Sequence, residues 1–141
     1  MGYRPLLVLA DEGWYRRAFE ATYSDCSPLQ THDGMQVRFY PSDFDHAFFC
    51  DTDRHGNAIP PVFDRERGEH LHWIAACLSD PTLSSYRRVM ENGDVRRLIL
   101  VPSEPYLVVL RGVIGPASRF CTAYVVKSAS ALSRIQGNPP W

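Results

Sequence analysis

The 141-residue sequence predicts a single α+β domain, with N-terminal helices packed on a four-stranded antiparallel meander sheet. Three observations lead there. The long helical patterns fall before residue 80, and four strand-like segments follow from residue 84. The breaks between those segments are only a few residues long. Parallel crossovers need about a dozen residues or more, so the strands must run antiparallel.

Residues 5–10 read as a short buried strand. Residues 11–23 read as a helix, with Asp11 or Glu12 at its start and Trp14, Ala18 and Ala21 near one stripe. Residues 24–34 are loop, broken by Ser27-Pro28 and Asp33-Gly34. Residues 35–40 alternate apolar and polar, which suits a strand. Residues 42–61 are mostly irregular, with a short ordered piece over 46–50. Residues 63–78 carry the firmest helical pattern, preceded by Pro60-Pro61 and stopped by Asp80-Pro81. On a helical wheel Phe63, Leu71, Ile74, Cys77 and Leu78 share one face, Arg67 falls inside it, His70 borders it and His72 points away. A guanidinium on such a stripe needs a partner, or must reach past the core edge. The strands are expected over 84–90, 95–101, 106–113 and 119–126. Their turns lie at 91–94, where Asn92-Gly93 is a hairpin signal, at 102–105, and around Gly115-Pro116. Residues 128–135 suit a terminal helical turn, and 137–141 a tail.

Bulk composition is ordinary, with 45% hydrophobic and 22% charged residues. Apolar runs such as 6–10 and 106–110 are far short of the roughly 20 residues that span a bilayer. The apolar stretch near Met1 is also too short for a secretory core, so the expected location is cytoplasmic. Cys26, Cys50, Cys77 and Cys121 form no C-x-x-C pair, which argues against a zinc ribbon and for buried thiols. The net charge of −1 hides a polarity: residues 1–80 hold 7 basic and 13 acidic side chains, and residues 81–141 hold 8 basic and 3 acidic ones. Of the 15 basic residues all but Lys127 are arginine, whose planar fork fits phosphate oxygens. Codon usage alone can raise the arginine share, but it does not separate the two halves. An acidic ligand is expected for the C-terminal half.

The sequence lacks a phosphate-binding G-x-x-x-x-G-K-[ST], a G-x-G-x-x-G and a G-x-S-x-G elbow. Residues 51–56 begin like a calcium loop, but Val62 stands where a bidentate glutamate belongs and His55 replaces a carboxylate. No spacing fixes Asp43, Asp45, His46 and Asp51 as a metal site. No metal or cofactor is therefore expected. What remains is a set of histidines, arginines and strand hydroxyls. Cleavage of RNA needs little more: the 2′-OH is the nucleophile, and the protein supplies a base, an acid and positive charge. His46, just before Phe48-Phe49, is a candidate acid or base, because histidine as a residue type titrates near neutral pH. Thr122 and Tyr124 alternate along one strand and so project their hydroxyls to one side.

The segment Asp45-His46-Ala47-Phe48, the helical run from Phe63 through Arg67 to Trp73-Ile74, the Leu78-x-Asp80-Pro81 stop and the closing Thr122-Ala123-Tyr124 are similar to the phage-associated branch of the barnase–EndoU–colicin–RelE-like ribonuclease superfamily. The resemblance covers about residues 43–127 and leaves the first 40 without a counterpart. It implies metal-independent cleavage of RNA by a toxin-like or phage-borne protein, with a cognate inhibitor or immunity protein as a further partner. It implies an acid/base role for His46, a phosphate-binding or site-ordering role for Arg67, and closing-strand hydroxyls at Thr122 and Tyr124. Arg88 or Arg111 would stabilise the phosphorane, and His70 and Lys127 would join the substrate contacts. The second histidine stays open among His55, His70 and His72. A non-catalytic α+β module that binds RNA or a protein is the alternative.

Overall fold

The computed structural model describes residues 2–53 and 55–141. In chain order it contains α1 (Glu12–Thr22), a single 3-10 turn (Ser24–Cys26), β1 (Leu29–Gln30), β2 (Gln36–Arg38), α2 (Asp43–Ala47), β3 (Phe49–Thr52) and β4 (Ala58–Phe63). There follow α3 (Arg65–Glu69), α4 (Leu71–Ser79), β5 (Ser84–Val89), β6 (Val95–Val101), β7 (Tyr106–Ile114), β8 (Ala117–Val125) and α5 (Ala129–Gln136). The protein is α+β. Among the described residues no helix is long and apolar enough to cross a membrane.

The expected four-stranded sheet is instead a six-stranded mixed one, in the order β1-β2-β8-β7-β6-β5. Strands β5 to β8 pair antiparallel in succession, while β2 lies parallel to β8 and carries β1 on its far side. Of the added strands, β2 lies within the 35–40 segment whose alternation suited a strand, whereas β1, two residues long, is too short to show a periodicity. β3 and β4 form a separate two-stranded hairpin.

Both faces of the sheet are covered, which explains the unbroken apolar runs of β6 and β7. Ile99, Val101, Val108 and Leu110 turn to the main core with α1, α2 and α4, whereas Leu98, Leu100, Leu107 and Val109 turn to a second cluster under α5. Strands buried on both sides lose the polar alternation of a half-exposed sheet. The main core is aromatic: the ring centres of Tyr23, Phe39, Phe44, Phe48 and Phe120 all lie within 6.3 Å of Phe19.

Further expectations change. Of the four thiols expected to be buried only Cys77 is, with Cys26 exposed and Cys50 and Cys121 partly so. Residues 24–34, expected to be loop, include β1. The helix expected over 63–78 is broken. Phe63 ends β4, Asp64 caps α3 by accepting from the Arg67 amide, and His70, at φ −91° and ψ 14°, separates α3 from α4. Pro60 and Pro61 lie within β4, a strand with one neighbour only, where a missing N–H is tolerated. Gly68 lets this corner close: a Cβ there would stand 2.8 Å from Phe63 Cζ and 3.1 Å from Tyr15 Cδ1. Residues 5–10 form no strand. They are held singly, by Leu7 N donating to Glu69 O (2.9 Å) and by the Tyr15 hydroxyl donating to Leu7 O (2.8 Å). Residues 42–61, expected to be mostly irregular with one short ordered piece over 46–50, contain α2 and most of the β3–β4 hairpin.

Among the described residues Arg97 is the one fully buried arginine, 2% exposed, and its Nη1 lies 3.0 Å from Asp33 Oδ1 while its Nε donates to Ser85 Oγ at 3.2 Å. The bond from Arg97 holds the Asp33 carboxyl down to about 2. A carboxyl that is more acidic in the folded than in the unfolded chain stabilises the fold above its unfolded value near 4, and this contribution fades as pH falls towards 2. The stability gap between the native protein and Asp33→Asn, read from urea midpoints, is accordingly expected to narrow between about pH 4 and pH 2. A gap that ignores pH would remove Asp33 as the partner of Arg97.

Candidate functional site

A β-bulge decides where the closing-strand hydroxyls point. Val109 pairs with Thr122 and Leu110 with Phe120, so Cys121 is left over. The extra residue shifts the alternation of β8 by one. Phe120 and Ala123 consequently face the main core, while Thr122 and Tyr124 turn to the α5 side. Without the bulge, strict alternation would turn Phe120 to the same side as Thr122 and Tyr124.

Two clefts meet at Tyr124. The larger, about 550 Å³, opens between the sheet and α5. Thr122 and Tyr124 line it together with Arg88 of β5, Arg96 of β6 and Arg134 of α5. The smaller, about 290 Å³, shares Tyr124 and Ala131 with it and is lined by Arg67, Lys127, Asp64 and Glu66. Arg67 is half-buried. Its guanidinium stands 5.4 Å from the Tyr124 ring centre, donates to the Ala47 carbonyl at 3.1 Å and pairs with Asp64 at 3.4 Å. The partner that a charge on the apolar stripe requires is therefore present. Lys127 Nζ lies 2.7 Å from Glu66 Oε2.

The expected residues separate into groups. Thr122, Tyr124 and Arg88 share the larger cleft, and Arg67 and Lys127 share the smaller one with Tyr124. His46 lines neither cleft. It is exposed in the last turn of α2, one residue before the carbonyl that holds Arg67. Arg111 also lines neither, and sits beside Arg119 across the β7–β8 ladder. His70 belongs to the core side of the sheet: its ring packs against Trp73 (4.4 Å) and Tyr106 (5.4 Å), and Nδ1 lies 2.7 Å from Glu66 O. It lines neither cleft. His55 and His72 are exposed, away from both clefts.

Asp43 and Asp45 are engaged elsewhere, by Arg119 at 3.3 Å and Arg16 at 2.7 Å. Among the described residues no group of three or more His, Cys, Asp or Glu is placed to hold a metal ion. Arg96 and Arg134 were not singled out from the sequence. The signal for Arg96 was there, because the Asn92-Gly93 turn sets a register in which Arg88 faces Arg96. Arg134 carried none, since its position depends on where α5 docks. Comparison with protein families, with characterised proteins and with solved structures finds no match.

Proposed function

We propose that this chain is a metal-independent endoribonuclease that cleaves RNA by attack of the substrate 2′-OH. One observation carries the reading: Tyr124 is shared by the larger, cationic cleft, which also holds the Thr122 side chain, and the smaller cleft, where the Arg67 guanidinium stands 5.4 Å from its ring. A phosphate laid over Tyr124 would meet positive charge from Arg67 and from the larger cleft, and hydroxyls to orient it. In this reading Arg67 neutralises the phosphorane oxygens, Thr122 and Tyr124 hold or donate to the phosphate, and His46 serves as acid or base. The bond from Arg67 to the Ala47 carbonyl ties the end of α2, and with it His46, to the rest of the set.

The alternative is a binding module that holds RNA without cutting it. It is favoured by the absence, among the described residues, of any histidine from the lining of either cleft. Incubating end-labelled RNA with the protein in EDTA separates the two. The ribonuclease reading expects cleavage to a 2′,3′-cyclic phosphate and no cleavage of the matching DNA, which lacks the nucleophile. Binding without turnover would leave the module. A cognate inhibitor belongs to the same proposal, since it would have to cover Tyr124 and its flanking cations.

A further inference from the structure

Arg88 and Arg96 are directly opposed across the β5–β6 ladder, and both side chains enter the larger cleft. Like charges facing one another across an antiparallel pair destabilise it. Arg134 brings a third guanidinium from α5, and no carboxylate lines the cleft among the described residues. Among the described residues Asp94, 3.3 Å from Arg96 Nε, makes the one ion pair to these three arginines, and Glu91 stands with Arg88 and Arg96 around an adjoining pocket outside the cleft. Below the three cations lies an apolar floor of Leu98, Leu107, Val109 and Ile135. A fold that gathers three cations over a greasy floor is arranged for a ligand with several negative charges and a flat apolar body.

We propose that this cleft is a nucleotide subsite for single-stranded RNA: Arg88, Arg96 and Arg134 hold successive phosphates while an unpaired base lies against the floor. It rests on the ribonuclease reading only in taking the strand to run on across Tyr124 to the cleavage position. The floor selects single strands, because a duplex keeps its bases stacked inside and cannot lay one down. The position of α5 sets the width of the subsite. Its Ile135 is part of the floor and its Arg134 part of the rim.

The test uses the full chain and a fluorescein-labelled, 2′-O-methyl single-stranded oligonucleotide, which cannot be cleaved by 2′-OH attack. Binding is read by fluorescence anisotropy over a salt series. Arg88→Gln with Arg134→Gln is expected to weaken binding by roughly tenfold or more, and to lower the slope of log K against log salt by about 0.7 for each phosphate no longer neutralised. Both side chains are exposed, and thermal melting checks that the double variant folds. Arg17→Gln, an exposed arginine of α1 packed on Trp14, serves as the control and should bind as the native protein does. A duplex of the same sequence should compete poorly. The proposal is overturned if the native protein does not bind, if the double variant keeps native affinity and slope, or if duplex and single strand bind alike. An uncleaved substrate in the EDTA assay together with arginine-dependent binding here would retain the subsite and discard the ribonuclease reading.

Discussion

Replacing Phe19 with alanine is expected to lower the unfolding free energy by about 3–5 kcal/mol, read as a fall in the urea midpoint with an unchanged slope. Phe19 is fully buried and stands at the middle of the aromatic cluster. Its neighbours come from four different elements or their flanks: Tyr23 at the end of α1, Phe39 after β2, Phe44 and Phe48 of and just beyond α2, and Phe120 of β8. Those rings also touch one another, as Phe39 does Phe120 at 5.0 Å and Phe44 does Phe48 at 5.0 Å. They cannot all move inward to fill the hole, so both the lost transfer energy and the cavity are felt. A domain of ordinary stability, about 5–15 kcal/mol, would lose a large share of it. The consequence reaches the site, because the α2 segment bearing His46 is seated on Phe19 through Phe44 and Phe48. A loss below about 1 kcal/mol would mean that the cluster relaxes freely, against the mutual bracing of these rings.

Tyr124→Phe is expected to slow RNA cleavage by about 10² or more while leaving the urea midpoint in place. The phenol makes no hydrogen bond among the described residues, so its removal leaves no buried partner stranded. The phenyl ring that remains still lies under Arg67. The variant therefore separates chemistry from folding. His46→Ala, at an exposed position, is expected to slow cleavage to a similar degree. Native rates for Tyr124→Phe would exclude the hydroxyl from the reaction. Slow Tyr124→Phe with a fully active His46→Ala would move the base to the carboxylates of the smaller cleft, Asp64 or Glu66.

Much of the C-terminal sheet was legible because its cues are local. Asn92-Gly93 marks a two-stranded turn, where Gly93 takes φ 88°, and the short breaks after it leave the next strands no room to cross over. The alternation of Thr122 and Tyr124 correctly placed them side by side. What alternation cannot reveal is the extra residue at Cys121, which decides to which face they turn. The parallel pairing of β2 with β8 joins segments distant in the chain and leaves no local mark. The 63–78 segment misled for a different reason. Its apolar stripe runs through a corner, and the stripe is the same whether one helix or two short ones present it. His70 sat on the border of that stripe and belongs to the core, while His46 was read from its type and its neighbours, neither of which locates a side chain in space.

Residues 139–141 run alongside β5, with Arg87 N donating to Pro139 O at 2.8 Å and Trp141 N donating to Ser85 O at 2.9 Å. The Trp141 ring lies beneath the guanidinium groups of Arg87 and Arg97, at 4.3 and 5.0 Å. At the opposite border of the sheet stands β1, only two residues long. One margin is thus covered at Ser85–Arg87 by residues 139–141 and the other is too brief to template a neighbour, so this sheet offers little backbone on which a second molecule can zip and grow a fibre.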